Sequence, residues 1–220
     1  MGALHQVNAT YYGATPGTGH PDDKLGFVIG AGIRLNAPML GQSDFFQAQI
    51  NYTQGALRYI FQTPNTNWAK VQGASEGFGL LSDAVFGTLT GTTATDLPLT
   101  TAWNINAAYE HFWNPRWRTS LYGGYAAVTY NDTASNLIVD STTRSPVGFS
   151  EDWSTWWLGS RTQWNVTKDF YMGFDVMYAK LHTAPVFAGF LGVAAIGGAT
   201  IAGDVDNWQF RFRVHRDFYP

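Results

Sequence analysis

The run Phe46-Gln47-Ala48-Gln49-Ile50-Asn51-Tyr52-Thr53 alternates apolar and polar residues at every step. A period of two marks a strand with two unlike faces. In a soluble sheet the polar face meets water and the apolar face meets a core. In a membrane barrel the apolar face meets lipid and the polar face lines a lumen. The rest of the chain decides between them.

The same alternation recurs along the chain. His5, Val7, Ala9 and Tyr11 alternate with Gln6, Asn8, Thr10 and Tyr12. Leu25 to Asn36 repeats the pattern, and Phe78 to Phe86 carries a weaker version. Further strands are expected at Trp103 to Trp113, Trp117 to Thr129, Trp153 to Asn165, Phe170 to Lys180 and Trp208 to Val214. Most of these nine segments are long for soluble strands, which average about 5–6 residues. A 12-residue strand tilted by about 45° rises roughly 28 Å, close to one bilayer.

Aromatic placement agrees. Trp103 and Trp113 lie ten residues apart on one face, Trp208 and Phe218 share that spacing, and Trp156 and Trp164 lie eight apart. Ten tilted residues span roughly 23 Å, near the apolar band between two aromatic girdles. Trp103, Trp113, Trp117, Trp156, Trp164, Trp208 and Phe218 are therefore expected at the membrane interfaces. Short turns at Asn114-Pro115 and Thr167-Lys168 contrast with long segments at Tyr12 to Asp23, Tyr130 to Glu151 and Thr183 to Asp204. That contrast is the pattern of short periplasmic turns and long outer loops.

Composition supports this reading. Charged residues are 13% of the 220, against about 25% in soluble domains. A mean hydropathy of −0.14 does not describe a helical membrane protein. The absence of Cys excludes disulfides and thiolate metal sites. A net charge of −3 gives no reason to expect nucleic acid as a partner. Ala184 to Gly203 lacks charge, but Pro185 and its glycines mark a loop rather than a spanning helix. Met1-Gly2-Ala3 runs into a strand pattern without the basic start of a signal peptide. Strand parity leaves one expectation open. Between the Phe46 and Trp103 strands either two crossings or none must lie, so Gly55 to Leu99 holds a second crossing or the Phe78 strand is not one.

Catalytic patterns do not assemble. His5, His20, His111, His182 and His215 have no ligand spacing, and His111 is expected at a rim beside Trp113. Ser160 and Asp175 fall on opposite faces, so they do not converge with His215 as a nucleophile and its support. Gly30-Ala31-Gly32 lacks the helix a phosphate loop needs. Asn8, Asn51, Asn131 and Asn165 begin N-x-T sequons, which are incidental if the source is bacterial. No catalytic residue, metal or cofactor is expected. What remains is the polar face: Arg34, Gln47, Gln49, Asn51, Asn104, Asn106, Arg118, Arg161, Asp175, Arg211 and Arg213 are the expected pore lining. Five arginines against Glu110 and Asp175 set a field that favours anions.

Five stretches carry a family resemblance. They are Ala3-Leu4-His5-Gln6-Val7-Asn8-Ala9, Gly30-Ala31-Gly32-Ile33-Arg34-Leu35-Asn36, Tyr109-Glu110-His111-Phe112-Trp113, Ser120-Leu121-Tyr122-Gly123-Gly124-Tyr125 and the ending Phe212 to Pro220. In this order they resemble the alphaproteobacterial outer-membrane porins of rhizobia and their relatives. The ending also resembles the C-terminal signal of barrel assembly, although Tyr219-Pro220 trail after Phe218. The resemblance implies sixteen-stranded trimeric barrels roughly twice this length. Against it the chain matches the C-terminal part of the barrel, without the inward-folded constriction loop.

The expected fold is all-β: an antiparallel transmembrane barrel of nine or ten strands. It forms one unit over residues 1–220, as part of a sixteen-stranded porin or as a reduced barrel. The expected function is a water-filled channel in the bacterial outer membrane for passive diffusion of small hydrophilic solutes. Its partners are outer-membrane lipid and these solutes, with a homotrimer implied by the resemblance. The alternatives are a soluble ligand-binding β-barrel or sandwich, and a small closed barrel with a structural or lipid-modifying role.

Overall fold

The computed structural model describes residues 1–12, 17–61, 68–71, 74–79, 81–88, 94–142, 152–182 and 204–218. Its strands are β1 (Gly2–Val7), β2 (Lys24–Asn36), β3 (Phe45–Gln54), β4 (Trp68–Val71) and β5 (Ala74–Gly79). They continue with β6 (Thr101–Asn114), β7 (Trp117–Thr129), β8 (Trp153–Thr167), β9 (Phe170–His182) and β10 (Val205–Arg216). Eight of them form one antiparallel sheet in the order β1-β2-β3-β6-β7-β8-β9-β10, and β4 pairs only with β5. Among the described residues β1 and β10 are not paired with each other.

This order settles the parity question. β3 pairs directly with β6 over Phe45–Gln54 against Thr101–Glu110. No crossing lies between them. The segment near Phe78 forms β5, outside the main sheet, and ends at Gly79 rather than Phe86. The first strand also stops at Val7, short of the expected Tyr11.

Turn chemistry explains the short ends. Oδ1 of Asn114 accepts the amides of Arg116 and Trp117 at 2.9 and 3.0 Å, closing the β6–β7 hairpin. Thr167 Oγ1 accepts the Asp169 amide at 3.3 Å between β8 and β9. Between β2 and β3 the chain turns over 37–44, with the Ala37 amide on the Asp44 carbonyl at 2.8 Å. All three turns lie at one end of the sheet. The strand ends joined by the long connections 8–23, 55–100, 130–152 and 183–204 lie at the other. The last of these falls mostly on 183–203, outside the described residues.

The connection after β7 contains an unexpected helix, α1 (Asp132–Thr142). Asn131 Oδ1 accepts the Ala134 amide at 2.8 Å, which is an N-cap. Ala134, Leu137 and Ile138 then repeat at spacings of three and four, giving one apolar face. That face and Leu57, Phe61 and Leu81 of the connection after β3 pack on one side of the sheet. Leu57, Phe61, Leu81, Ala134 and Ile138 bury with Ala102, Ala126, Val128, Trp153 and Leu181 of the strands.

An inward-folded segment is therefore present between β3 and β6, a packing that the alternation alone did not show. It is also tied to β1 and β2. His5 Nε2 lies 3.4 Å from Asp83, and Lys24 bonds to Asp96. That hydrogen bond, with the Leu97 amide, holds the Asp96 carboxyl below its ordinary range. We call this side of the sheet the covered face and the other the bare face.

Candidate functional site

Register places the polar residues on the covered face in rows across the strands. One row runs Asn51, Asn104, Ala126, Thr155, Leu181. The next runs Gly32, Gln49, Asn106, Gly124, Trp157, Ala179. Nearer the short turns follow Glu110, Ser120, Arg161, Asp175, Arg211, and then Phe112, Arg118, Gln163, Gly173, Arg213. Arg34 stands opposite Gln47. All eleven residues expected on the polar wall thus share one face of the sheet.

Their interactions divide the wall. Near the long loops the amides form a ladder: Gln49 Nε2 donates to Asn51 Oδ1 at 3.0 Å, and Asn51 Nδ2 donates to Asn104 Oδ1 at 2.9 Å. Asn51 and Asn104 are buried there. Charge collects nearer the short turns. Arg118 lies 3.0 Å from Glu110, which also accepts Ser120 Oγ at 3.0 Å. Asp175 accepts the Tyr122 hydroxyl and sits in register between Arg161 and Arg211. A small recess of about 70 Å³ is lined by Arg161, Gln163, Tyr171, Gly173, Asp175, Arg211 and Arg213.

The expected pore lining omits aromatic side chains that stand on this face. Phe45 and Phe112 lie with ring centroids 6.4 Å apart at the short-turn end. The Arg34 guanidinium stands 4.0 Å over the Phe45 ring, and that of Arg118 stands 6.0 Å from the Phe112 ring. Such contacts fix where a flexible arginine holds its charge. Tyr122 and Trp157 lie at mid-strand beside a cavity of about 540 Å³ that reaches Arg34, Gln47, Gln49 and Asn106. Alternation places these aromatics on the polar face, but it does not show that the residue across the next strand is a glycine.

The bare face is apolar and open. Ile29, Ile33, Ile50, Leu121, Leu158, Phe174, Phe210 and Phe212 are all exposed on it. Ring contacts form two bands. Toward the long loops Trp103 meets Tyr125 at 5.1 Å, Trp156 meets Tyr178 at 5.3 Å, and Tyr178 meets Trp208 at 5.0 Å. Toward the short turns Trp117 and Trp164 stack at 5.4 Å, with Trp113 nearby on β6. Phe218 lies past the end of β10, under the Arg216 guanidinium at 5.5 Å.

The histidines do not gather. His111, His182 and His215 each pair with a separate aspartate at 2.6, 2.7 and 2.9 Å, and His5 lies near Asp83. His20 Nδ1 faces the Pro21 carbonyl at 2.9 Å. Ser160 is in register with Leu121 and Val176 on the bare face, opposite to the side that carries Asp175.

A long-stranded antiparallel sheet with one exposed apolar face, aromatic bands and a polar opposite face defines an outer-membrane β-barrel protein. A family model described as a porin subfamily matches residues 2–200, and the chain belongs to this porin family. No curated protein and no solved structure matches it. Membership places the chain in the outer membrane, and no helix among the described residues is long and apolar enough to span a bilayer.

Proposed function

We propose that the protein conducts small hydrophilic solutes and ions by passive diffusion, with the covered face as channel wall and the bare face against lipid. One observation carries this reading: the large apolar side chains stand exposed on one face while the amides and arginines line the other. Water stays favourable beside Gln47, Gln49, Asn106 and the arginines. Lipid stays favourable beside Ile50 and Leu121. The residues around Leu57, Phe61 and Leu81, with α1, narrow the long-loop end. No bond is made or broken.

Among the described residues Arg34, Arg161, Arg211 and Arg213 have no carboxylate at ion-pair distance, whereas Arg118 is matched by Glu110. This excess favours anions. Trp103, Trp113, Trp117, Trp156, Trp164, Trp208 and Phe218 anchor the wall at the two interfaces. Within the family we align the chain with the C-terminal part of the alphaproteobacterial barrels and read its assembly as a trimer.

The strand number favours one other reading. Eight strands closed on themselves give an interior that side chains fill, without a channel. The sheet would then serve as a small structural barrel. Reconstitution in planar bilayers separates the two. Stepwise ohmic conductance supports the channel; a protein that inserts with full strand content but never conducts overturns it.

A further inference from the structure

On the covered face two aromatic rings lie down along the wall instead of projecting from it. Each has a glycine directly across the strand boundary: Tyr122 faces Gly159, and Trp157 faces Gly124. A methyl group on Gly159 would meet Tyr122 Cζ at 2.5 Å, and one on Gly124 would meet Trp157 Cζ2 at 2.4 Å. The phenol therefore crosses β8, and its hydroxyl reaches Asp175 on β9. The indole crosses β7 in the opposite direction. A glycine inside a strand ordinarily weakens it and marks a close approach. Here the close approach is an aromatic ring in both cases. Both rings border the cavity of about 540 Å³, within the roughly 300–1,000 Å³ of small-molecule sites.

The rest of the cavity selects its occupant. Gln47 and Asn106 line it, and neither amide has a partner among the described residues. A free amide offers both a donor and an acceptor, as a hydroxyl does. Arg34 is the one charged residue of the lining, and its guanidinium is already held over Phe45. An anion finds a single engaged cation there, and a cation finds no carboxylate in the lining. A saturated ring with an apolar C–H face and a rim of hydroxyls matches both surfaces. The C–H face stacks on the aromatic rings and the hydroxyls bond the amides.

We propose that Tyr122 and Trp157 form a stacking platform for the pyranose ring of a neutral saccharide, with Gln47 and Asn106 reading its hydroxyls. The proposal rests on the channel reading above, because only a channel delivers solute to this wall. It adds a preference for sugar rings over other polar solutes of similar size.

Two readouts on the full chain test it: calorimetric binding in detergent, and sugar-dependent current fluctuation in planar bilayers. The probes are maltotriose, the linear polyol sorbitol and the planar anion benzoate. Maltotriose should bind and interrupt the current, while sorbitol should not. Trp157→Ala should weaken maltotriose binding about tenfold, the scale of one aromatic stacking contact, and Trp157→Phe should restore most of it.

Trp157 also packs against the buried cluster, so Gln47→Ala and Asn106→Ala provide variants that leave that packing intact. Each should lower affinity. Leu158→Ala, on the bare face beside Trp157, should change nothing. Binding unchanged by the Trp157, Gln47 and Asn106 variants would overturn the platform, as would sorbitol or benzoate binding as well as maltotriose. Conductance without Trp157-dependent binding defeats the platform alone; binding without conductance defeats the channel reading instead.

Discussion

Asp44 and His111 lie 67 residues apart in sequence and 2.6 Å apart in the fold. Asp44 ends the β2–β3 turn, and His111 stands on β6 near the β6–β7 hairpin. The same carboxylate accepts the Tyr109 hydroxyl and, at 2.9 Å, the Phe112 amide. Three groups of β6 thus converge on one buried side chain from the β2–β3 turn. The turn around Gly41 closes tightly over it: a methyl group on Gly41 would lie 2.5 Å from Asp44 Oδ1.

This clamp has a defined response to acid. Burial alone raises the Asp44 pKa, but hydrogen bonds from Tyr109, His111 and Phe112 outweigh it and lower it from 3.8 to about 2. A folded value below the unfolded one means that the ionised form is bound more tightly by the fold. The contribution is fully present above roughly pH 4 and is lost as pH falls through about 2. Asp44→Asn should therefore lower the unfolding midpoint at neutral pH, and the gap to the parent should close between pH 4 and 2. Urea unfolding in lipid vesicles at stepped pH measures this. A gap that persists at full size at pH 2 would contradict the assignment.

Leu121 and Gln49 separate the two faces energetically. Leu121 is 53% exposed on the bare face, at mid-strand opposite Ser160. Gln49 lies on the covered face opposite Asn106. An arginine facing mid-membrane lipid costs about 2–4 kcal/mol, while one facing a lumen costs little. Leu121→Arg should shift the vesicle unfolding free energy by that amount and Gln49→Arg should not. Equal costs would return the sheet to a soluble setting.

The same two positions show what was legible beforehand. Strict alternation in Phe46 to Thr53 fixes which side chains share a face, and β7 matches its expected bounds, Trp117–Thr129. The shared face of Trp103 and Trp208 was legible because alternation along β6 and β10 sets it. The parity argument had narrowed 55–100 to two outcomes, and the direct pairing of β3 with β6 selects one. Three features were not legible. The burial of Leu57 and Leu81 depends on tertiary packing over the sheet. The helix cap at Asn131 sits in a stretch otherwise rich in loop residues. The pairing of Tyr122 with Gly159 is a matter of register between strands, which no single strand encodes.

Val128 tests the inward-folded segment. It is fully buried on the covered face, in the cluster with Leu57, Phe61 and Leu81. A carboxylate there has no partner and is strongly disfavoured when buried. Val128→Asp should release the packed segment and not the strand ladder, whose backbone bonds it leaves unchanged. Single-channel conductance should rise while strand content by circular dichroism stays the same. Unchanged conductance in a folded variant would show that this packing does not restrict the channel.

Selectivity should follow the arginines of β10. Arg211 and Arg213 lie two residues apart on one face, with Arg161 across β9 and Asp175 between. Asp175 is the one carboxylate in this recess and is held by Tyr122, so three guanidiniums face one acid. The excess positive charge raises the local anion concentration, and salt weakens the effect as the Debye length falls from about 30 Å at 0.01 M to about 3 Å at 1 M. In planar bilayers the channel should prefer chloride over potassium at low salt. Arg211→Gln with Arg213→Gln should reduce that preference while the pore stays open, and the loss should be largest at the lowest salt. Reversal potentials unmoved by the double substitution would show that the field is set elsewhere, with Arg34 and Arg161 the next pair to replace.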